Sequence, residues 1–271
     1  MEYKLSKNKI EIFDKNDFNI EHILECGQVF SYLKNDNYIV FSNAYKCEII
    51  EQKNGFEILT KNPEYFENYF DLKTNYSEIK NKLNSKNIMK NPIKFGYGIR
   101  ILKQDLFETL ISFIVSANNN IKRIKMILFR MREKFGKHMG DYFAFPTRQQ
   151  LLAATVDDFK NMGAGYRSEY LFKVLRQIDE KTLEEWKKLP TKQLREKLIS
   201  LSGVGPKVAD CVLLFGYSRG DVFPVDTWIA QMYEKFYHSE SNREIIRKNL
   251  VDEFGQLSGY AQQYLFYFMR A

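Results

Sequence analysis

The sequence predicts an α+β protein in which an N-terminal antiparallel β-sheet domain with flanking helices precedes a mostly α-helical domain. Two observations lead to this prediction. Short runs rich in β-branched and aromatic residues alternate with turn clusters up to about residue 60, and apolar residues recur at helical spacing from about residue 102 onward. We place the boundary between residues 1–100 and 101–271. A chain of this length can fill such cores without disulfides or metals.

The strands are predicted around three short apolar runs. The run 38–42 follows a polar turn cluster, and the runs 47–50 and 56–60 flank a segment that contains Asn54-Gly55. Because Asn-Gly between two β-rich runs is a strong hairpin signal, these two runs are expected to pair antiparallel. The Lys- and Asn-rich segment 72–92 is predicted to form helices with solvated faces rather than a linker.

The second domain is predicted from apolar residues that repeat every three to four positions. Leu106, Leu110 and Ile114 share one helix face, and prolines such as Pro146 and Pro224 separate successive segments. Further helical stripes cover residues 148–162, 167–178, 191–201, 206–216, 227–237, 243–254 and 259–270.

Charge and cysteine content narrow the class of protein. The chain has 41 Lys and Arg against 34 Asp and Glu, which gives a net charge of +7 and suits a polyanionic partner such as nucleic acid. Three cysteines, Cys26, Cys47 and Cys211, exclude a disulfide-rich scaffold and a four-cysteine iron–sulfur or zinc site. No apolar run resembles a signal peptide or a membrane span, so we expect a cytoplasmic protein, nucleoid-associated if bacterial, with no membrane partner.

The most informative stretch reads Leu-Ile-Ser-Leu-Ser-Gly-Val-Gly-Pro-Lys-Val-Ala. One helix is expected to end near Ser202, Gly203-Val204-Gly205 to form a turn, and Pro206 to occupy the first position of the next helix. The free amides at such a helix start point outward and suit a DNA phosphate. The stretch matches the helix-hairpin-helix motif along its whole length.

Lys207 lies in the first turn of the second hairpin helix, where the positive end of the helix dipole favours loss of its proton. An amine nucleophile needs such an environment. Nineteen residues later, Asp226 precedes the predicted helix that begins at Thr227. A solvated lysine and an N-capping aspartate are the alternative interpretations. Capping and catalysis are compatible for Asp226, because a cap fixes the position of the carboxylate.

Together these features resemble the helix-hairpin-helix DNA glycosylases, and within that superfamily the 8-oxoguanine DNA glycosylase/AP lyases. The resemblance extends over nearly the whole sequence and implies a TATA-binding-protein-like sheet domain and a hairpin subdomain at about 163–222. It rests on separate motifs in the expected order: Cys26-Gly-Gln-Val-Phe30, Arg100-Ile-Leu-Lys-Gln-Asp105, Ser116-Ala-Asn-Asn-Asn-Ile-Lys-Arg123, Gly165-Tyr-Arg167, Lys207-Val-Ala-Asp-Cys211 and Gly259-Tyr-Ala-Gln-Gln-Tyr-Leu-Phe266.

The resemblance implies that Lys207 attacks C1′ of the damaged nucleotide and that Asp226 stabilises the oxocarbenium-like charge. A Schiff base then forms, and β-elimination nicks the strand 3′ to the lesion. No cofactor or metal is required for this chemistry. The backbone carbonyls of Ile199, Leu201 and Val204 could hold a structural cation in the hairpin, as they do in relatives.

The resemblance also implies a pocket for the extruded base. Cys211 would lie against one face of the base and Phe266 would stack on the other, while Gln262 would bind the Watson–Crick edge. The carbonyl of Gly27 would accept a hydrogen bond from N7–H, which 8-oxoguanine has and guanine lacks. Viewed alone, Cys211 is a typical buried core cysteine, and Gly27 would be a bulge in a strand.

For the opened duplex, the resemblance implies that Tyr166 is the wedge and that Asn118 fills the space left by the base. Arg123 and Arg167 would contact the unpaired partner base, and the hairpin turn Gly203-Val204-Gly205 would bind the backbone. The expected partner is double-stranded DNA containing 8-oxoguanine, bound by a monomer. One departure is visible, because Thr227-Trp228 follows Asp226 where eukaryotic members have a longer segment with a His that contacts a phosphate.

Three alternatives remain open at this point. The first is a non-catalytic helix-hairpin-helix DNA-binding module, which does not account for Lys207 with Asp226. The second is a sister glycosylase for another damaged base, although the iron–sulfur members need four cysteines after the helical domain and the last one here is Cys211. The third is a basic structural protein that binds phosphates without specificity.

Overall fold

A computed structural model describes residues 1–271 and confirms the predicted α+β class. Six strands form one sheet: β1 Tyr3–Ser6, β2 Lys9–Ile12, β3 Tyr32–Lys34, β4 Tyr38–Ser42, β5 Tyr45–Gln52 and β6 Gly55–Thr60. Every neighbouring pair is antiparallel, in the order β1-β2-β6-β5-β4-β3.

The predicted hairpin of β5 and β6 is confirmed, with Gln52 opposite Gly55. Its two turn residues are Lys53 and Asn54, one position earlier than the Asn-Gly signal indicated. A β-carbon on Gly55 would lie 1.8 Å from the carbonyl oxygen of Ile12. The glycine is therefore required by the close approach of β2 rather than by the turn.

Helices make up the rest of the chain, and none has both the length and the apolar character needed to cross a membrane. The N-terminal half contains α1 Ile20–Glu25, α2 Pro63–Tyr69, α3 Tyr76–Leu83 and α4 Lys90–Phe95, so the segment 72–92 is largely helical as predicted. The remaining helices are α5 Leu106–Ser116, α6 Ile121–Phe135, α7 Arg148–Leu151, α8 Val156–Asn161, α9 Arg167–Gln177, α10 Glu180–Glu185, α11 Thr191–Ile199, α12 Pro206–Phe215, α13 Thr227–Phe236, α14 Arg243–Phe254 and α15 Ser258–Arg270.

The predicted helix over 148–162 is divided in two. Thr155 begins α8 with a capping box, in which its side chain accepts from the amide of Asp158 and the Asp158 carboxylate accepts from the amide of Thr155. A capping box starts a new helix because it satisfies two amides that a continuous helix would bond internally. The short helix α10 was not predicted.

Three clusters of buried side chains form the core. One lies between the sheet and helices α1 and α2, and a second is built mainly by α5 to α12. The third joins residues 76–99 to residues 223–265, so the last helices return to pack on the N-terminal half. The boundary at residue 100 stays a prediction.

A buried arginine links the sheet domain to the start of the helical domain. Arg100 is fully buried, and its guanidinium donates to the carbonyls of Asp17 (3.0 Å), Phe70 (2.9 Å) and Thr74 (3.0 Å) and stacks on the ring of Tyr76. Because a buried charge is tolerated only when it is fully hydrogen-bonded, these contacts fix the junction that leads into α5.

Candidate active site

The hairpin turn between α11 and α12 forms as predicted with Pro206 as the first residue of α12, although α11 ends at Ile199 rather than near Ser202. Gly203 has φ +81°, and a β-carbon there would lie 2.7 Å from the β-carbon of Tyr170, so only glycine fits. A β-carbon on Gly205 would meet nothing within 4 Å, which means that this side of the turn is open. The side chain of Val204 is buried, so only its backbone can reach a ligand.

Four amides of the hairpin have no hydrogen-bond acceptor within the protein. The backbone N–H groups of Gly203, Gly205, Lys207 and Val208 donate to no carbonyl of the chain. Unpaired amides at the start of a ten-residue helix form a favourable site for an anion, because the helix dipole adds to their partial charges.

Lys207 is the second residue of α12, and its Nζ lies 5.2 Å from the centre of the Phe113 ring. Asp226 is the N-cap of α13, and its Oδ1 accepts from the amide of Ile229 at 2.9 Å. The capping interpretation of Asp226 is thus confirmed, while its Oδ2 accepts no hydrogen bond from the protein. Lys207 and Asp226 both line one groove of about 780 Å³, which also borders Asn118.

A narrow inner cavity adjoins the groove beside Lys207 and Asp226. The structure brings all four predicted pocket residues together there, since Gly27, Cys211, Gln262 and Phe266 line this cavity. Its volume is about 30 Å³, which corresponds to one water molecule and is far too small for a purine.

Gln262, which lines this cavity, has an unsatisfied acceptor on its carboxamide. The residue is buried, and its Oε1 has no hydrogen-bond partner. An unpaired buried acceptor is destabilising by about 1–3 kcal/mol, so its retention needs an explanation. A ligand with a donor group would satisfy it.

Gly27 does not lie in a strand, so its interpretation as a strand bulge is wrong. It follows α1 and has φ +81°, the left-handed conformation with which helices often end. No backbone amide donates to its carbonyl. The ring of Phe266 lies against it, with Cε1 2.9 Å from the position of a β-carbon on Gly27, so this ring occupies the space that a base would need.

Burial raises the pKa of the Cys211 thiol to about 11, although the nearby Lys207 partly offsets the effect. Cys211 therefore stays protonated at neutral pH and is an apolar wall of the inner cavity rather than a nucleophile. Gln263, which also lines the inner cavity, donates to the carbonyl of Cys26 at 2.5 Å and links α15 to the end of α1.

Three of the four residues predicted to contact the opened duplex are exposed. Asn118 lies in the turn between α5 and α6 with φ +47°, and Tyr166 exposes 54% of its surface. Arg123 is exposed, and its Nε and Nη2 donate to the carbonyl of Gly163 at 3.2 and 2.8 Å. Its Nη1 has no protein partner and is free for a ligand.

Arg167, the fourth of these residues, is buried, and its contact with the unpaired partner base stays a prediction. Only 3% of the residue is exposed, and all three guanidinium nitrogens donate to backbone carbonyls, those of Ala117, Asn118 and Ala164. As the protein stands, this side chain does not present its donors to a base. Tyr166 donates to the same Ala117 carbonyl at 3.2 Å.

One positively charged side chain of the groove, that of Arg243, was not predicted from the sequence. Arg243 lies at the start of α14 with Nη2 3.4 Å from Oγ1 of Thr227, and no carboxylate pairs with it. The neighbouring Glu244 is paired with Arg195 at 2.6 Å instead. Helical spacing could have indicated this cation, because Arg243 and Arg247 are four residues apart and both line the groove.

The chain has no group of three or more His, Cys, Asp or Glu side chains that could hold a metal ion. The cation predicted for the hairpin would instead be held by the backbone carbonyls of Ile199, Leu201 and Val204. Those of Ile199 and Val204 accept no backbone amide, whereas that of Leu201 accepts from Val204 at 3.1 Å. Two of the three carbonyls are thus free to coordinate a cation.

Comparison with known proteins places this chain among the helix-hairpin-helix base-excision proteins. Residues 11–110 match the family model of the 8-oxoguanine DNA glycosylase N-terminal domain, and residues 111–255 match that of the HhH-GPD superfamily base excision DNA repair proteins. The chain therefore belongs to the 8-oxoguanine DNA glycosylase/lyase family of the HhH-GPD superfamily. This confirms the resemblance and the enzyme class predicted from the sequence.

Individual relatives agree with this assignment. The Clostridium acetobutylicum 8-oxoguanine glycosylase/lyase, solved with double-stranded DNA containing cytosine opposite 8-oxoguanine, is 37% identical, with a TM-score of 0.93 over 100% of this chain and 98% of that one. The N-glycosylase/DNA lyase of Saccharomyces cerevisiae is 28% identical over 92% of this chain and 75% of its own length. The N-glycosylase/DNA lyase OGG1 of Arabidopsis thaliana is 32% identical over 62% of this chain and 51% of its own length.

Proposed function

We propose that this protein removes 8-oxoguanine opposite cytosine from double-stranded DNA and then nicks the strand at the resulting site. The observation that carries the proposal is the unpaired buried Oε1 of Gln262, a residue that lines the inner cavity together with Lys207 and Asp226. A guanine-type base offers two donors on its Watson–Crick edge, N1–H and the exocyclic amine. Such an edge would satisfy the orphaned acceptor.

We assign the selection of 8-oxoguanine over guanine to the backbone carbonyl of Gly27. The two bases differ at N7, which carries a hydrogen only in 8-oxoguanine, and the free carbonyl of Gly27 supplies the acceptor. Guanine would place its own N7 acceptor against this carbonyl. Leaving two acceptors unpaired disfavours guanine by about 1–3 kcal/mol, or roughly tenfold to a hundredfold.

The base cannot enter the inner cavity in its present form. The ring of Phe266 lies on Gly27, and the remaining space is about 30 Å³. We therefore propose that the Phe266 ring moves away from Gly27 as the base arrives and then stacks on it. The wall formed by Cys211 stays in place, because it belongs to the buried face of α12.

Base removal and strand nicking depend on Lys207 and Asp226, which line both the groove and the inner cavity. Nζ of Lys207, as the uncharged amine, forms a bond to C1′ while the bond from C1′ to N9 of the base breaks. The base leaves with the electron pair of that bond and takes up a proton, and Nζ gives up one of its two protons. The carboxylate of Asp226 stabilises the positive charge that develops on the sugar. The C1′–O4′ bond then breaks, O4′ takes up a proton, and a C=N bond forms between C1′ and Nζ, which gives the Schiff base. Solvent accepts the C2′ proton, and the electron pair of the C2′–H bond forms a double bond to C3′ and expels the 3′ phosphate by β-elimination.

The remaining contacts position the duplex. Arg123 donates to N3 and O2 of the unpaired cytosine, Tyr166 enters between base pairs, and Asn118 occupies the vacated space. The hairpin amides around Gly205 bind one phosphate. Arg243 binds another, a role that falls to a His after the catalytic aspartate in eukaryotic members of the family.

We also propose a structural ion, an oligomeric state and a location for this protein. The free hairpin carbonyls of Ile199 and Val204 support a structural cation that takes no part in the chemistry. We further propose that the protein acts as a monomer on chromosomal DNA, in the cytoplasm or nucleoid.

Single-turnover excision on matched duplexes tests the proposal. The substrates are one sequence carrying 8-oxoguanine opposite cytosine, guanine opposite cytosine, or 3-methyladenine opposite thymine. We expect release of 8-oxoguanine at a rate at least tenfold above the other two. Faster release of the alkylated base would identify a sister glycosylase, and binding without release of any base would identify a non-catalytic module.

A further inference from the structure

We propose that Arg270 is a positioning residue that holds the Phe266 ring over Gly27 until a base enters the inner cavity. This inference rests on the proposed function, because it assigns to Arg270 part of the free-energy cost of opening the pocket in which the base is bound. Arg270 needs no contact with the reacting atoms for this role.

Arg270 belongs to the side of α15 that faces the pocket. Gln262, Phe266 and Arg270 follow one another at intervals of four residues, so they project from one side of the helix. Gln262 and Phe266 line the inner cavity, and Phe266 and Arg270 line the groove. Arg270 therefore lies on the side of Phe266 from which a base would enter.

The guanidinium of Arg270 is anchored to the end of α1. Its Nη2 donates to the carbonyl of Glu25, the last residue of that helix, and no backbone amide donates to this carbonyl. Carbonyls in the last turn of a helix lack partners within the helix, and a cation satisfies them well. The anchor fixes the guanidinium beside Gly27, which follows α1 by two residues.

The same guanidinium lies against the ring of Phe266. Its central carbon is 5.5 Å from the ring centre, within the range of a cation–π contact. Nη1 of Arg270 and Cε1 of Phe266 lie 3.2 and 2.9 Å from the position that a β-carbon on Gly27 would occupy. The ring and the guanidinium thus fill the space over Gly27 together.

These contacts favour the closed position of the ring. When the ring leaves Gly27, it separates from a guanidinium that is held by α1, and the cation–π contact is lost. Arg270 therefore reduces the fraction of the protein in which the pocket is open. The apparent affinity of the pocket for any base falls by the same factor.

Binding of nucleosides in the absence of DNA tests the proposal. 8-Oxo-2′-deoxyguanosine is titrated calorimetrically into the wild type and into Arg270→Met, which keeps a flexible apolar side chain but has neither charge nor donors. We expect the variant to bind about three- to thirtyfold more tightly, the factor that corresponds to the usual strength of a cation–π contact. A merely structural role predicts the reverse, because loss of the anchor on α1 would weaken the pocket.

Arg176→Met is the matched control. Arg176 also follows a phenylalanine by four residues, and its guanidinium lies 3.5 Å from the ring centre of Phe172 and donates to the Phe172 carbonyl at 2.8 Å. It lines neither the groove nor the inner cavity, so this variant should bind the nucleoside as the wild type does.

2′-Deoxyguanosine is titrated in parallel into the same proteins. Because Arg270 acts on the ring of Phe266 rather than on the base, Arg270→Met should bind both nucleosides more tightly by the same factor. Arg270→Lys keeps the charge but cannot bind the carbonyl and cover the ring at once, so it should show a smaller gain in the same direction. This second variant keeps the test decisive if Arg270→Met does not fold.

Unchanged, weaker or absent nucleoside binding by Arg270→Met overturns the proposal. A gain restricted to one nucleoside also overturns it, since Arg270 would then contact the base. If Arg270 instead binds a phosphate, nucleoside affinity stays unchanged, and the slope of log duplex affinity against log salt concentration falls by about 1. The proposed function is tested separately, by excision from duplexes, so either proposal can fail alone.

Discussion

The ring of Phe266 lies on Gly27, with Cε1 only 2.9 Å from where a β-carbon on that glycine would stand. Gly27 also has φ +81°. The position thus requires glycine for two independent reasons, the backbone conformation and the contact with the ring. In the proposed reaction the ring and the base occupy this space in turn, so any side chain on residue 27 obstructs both.

We predict that Gly27→Ala lowers excision of 8-oxoguanine while leaving the nicking of a preformed abasic site largely intact. The added methyl intrudes on the base but not on Lys207, and an obstructed pocket of this kind should reduce the excision rate about tenfold to a hundredfold. Both rates are measured under single-turnover conditions on matched duplexes.

Gly140→Ala provides the control for this prediction. Gly140 also has positive φ, at +104°, but a β-carbon there would meet nothing within 4 Å. It should therefore show the backbone strain without the effect on excision. Equal losses in the two variants, or equal loss of both activities in Gly27→Ala, would show that residue 27 does not line the base pocket.

Asp226→Asn separates the charge of this residue from its cap. Asn is as good an N-cap as Asp, so the start of α13 and the melting temperature should be preserved. Loss of the carboxylate should slow base removal about 10²- to 10³-fold, because the developing charge on the sugar loses its partner. Asp179→Asn, at the N-cap of α10, is the matched control and should excise normally. A wild-type rate for Asp226→Asn would reduce this residue to a cap.

Arg243 is expected to bind a DNA phosphate. Arg243→Ala should weaken binding to all duplexes alike and reduce the slope of log affinity against log salt concentration by about 1, since one fewer counterion is released. Fluorescence anisotropy at several salt concentrations measures both quantities. Lys53→Ala, in the turn between β5 and β6, removes an exposed charge remote from the groove and should leave the slope unchanged. An unaltered slope for Arg243→Ala would exclude the contact.

The buried thiol of Cys211 should make stability depend on alkaline pH. Its pKa is raised to about 11 in the folded protein, against about 8.5 for an exposed thiol. A raised folded-state pKa gives stability that is complete below pH about 8.5 and is lost as the pH rises toward 11. Denaturant unfolding should show that the wild type loses roughly 2 kcal/mol more than Cys211→Ala between pH 8 and 10.5. Parallel pH curves for the two proteins would contradict this assignment.

Much of the fold could be predicted because it is encoded locally. The hairpin turn at Gly203 and Gly205, the pairing of β5 with β6, and most helix positions follow from turn residues and apolar periodicity. The split at Thr155 was missed because the apolar pattern continues through it, and only the capping box marks the break. The packing of residues 76–99 against 223–265 has no local signal, because it depends on contacts between distant parts of the chain.

In the candidate site, too, some residues could be predicted from the sequence and others could not. Lys207 and Asp226 could be proposed because each stands at a helix start that the sequence marks with Pro206 or with the capping residue itself. The burial of Arg167 could not, since an arginine at the start of a helix is usually solvated and only the approach of the 116–120 turn reveals its partners. The closed position of Phe266 likewise depends on packing across the protein.

Lys207 is proposed to be the nucleophile in excision of 8-oxoguanine, and borohydride trapping of the Schiff base is the decisive experiment. The wild-type protein is incubated with a duplex containing 8-oxoguanine opposite cytosine in the presence of borohydride, and Lys207→Gln is treated identically. We predict a covalent protein–DNA adduct with the wild type and none with Lys207→Gln, which should still bind the duplex. An adduct of equal yield with Lys207→Gln, or no adduct with the wild type, would contradict the account.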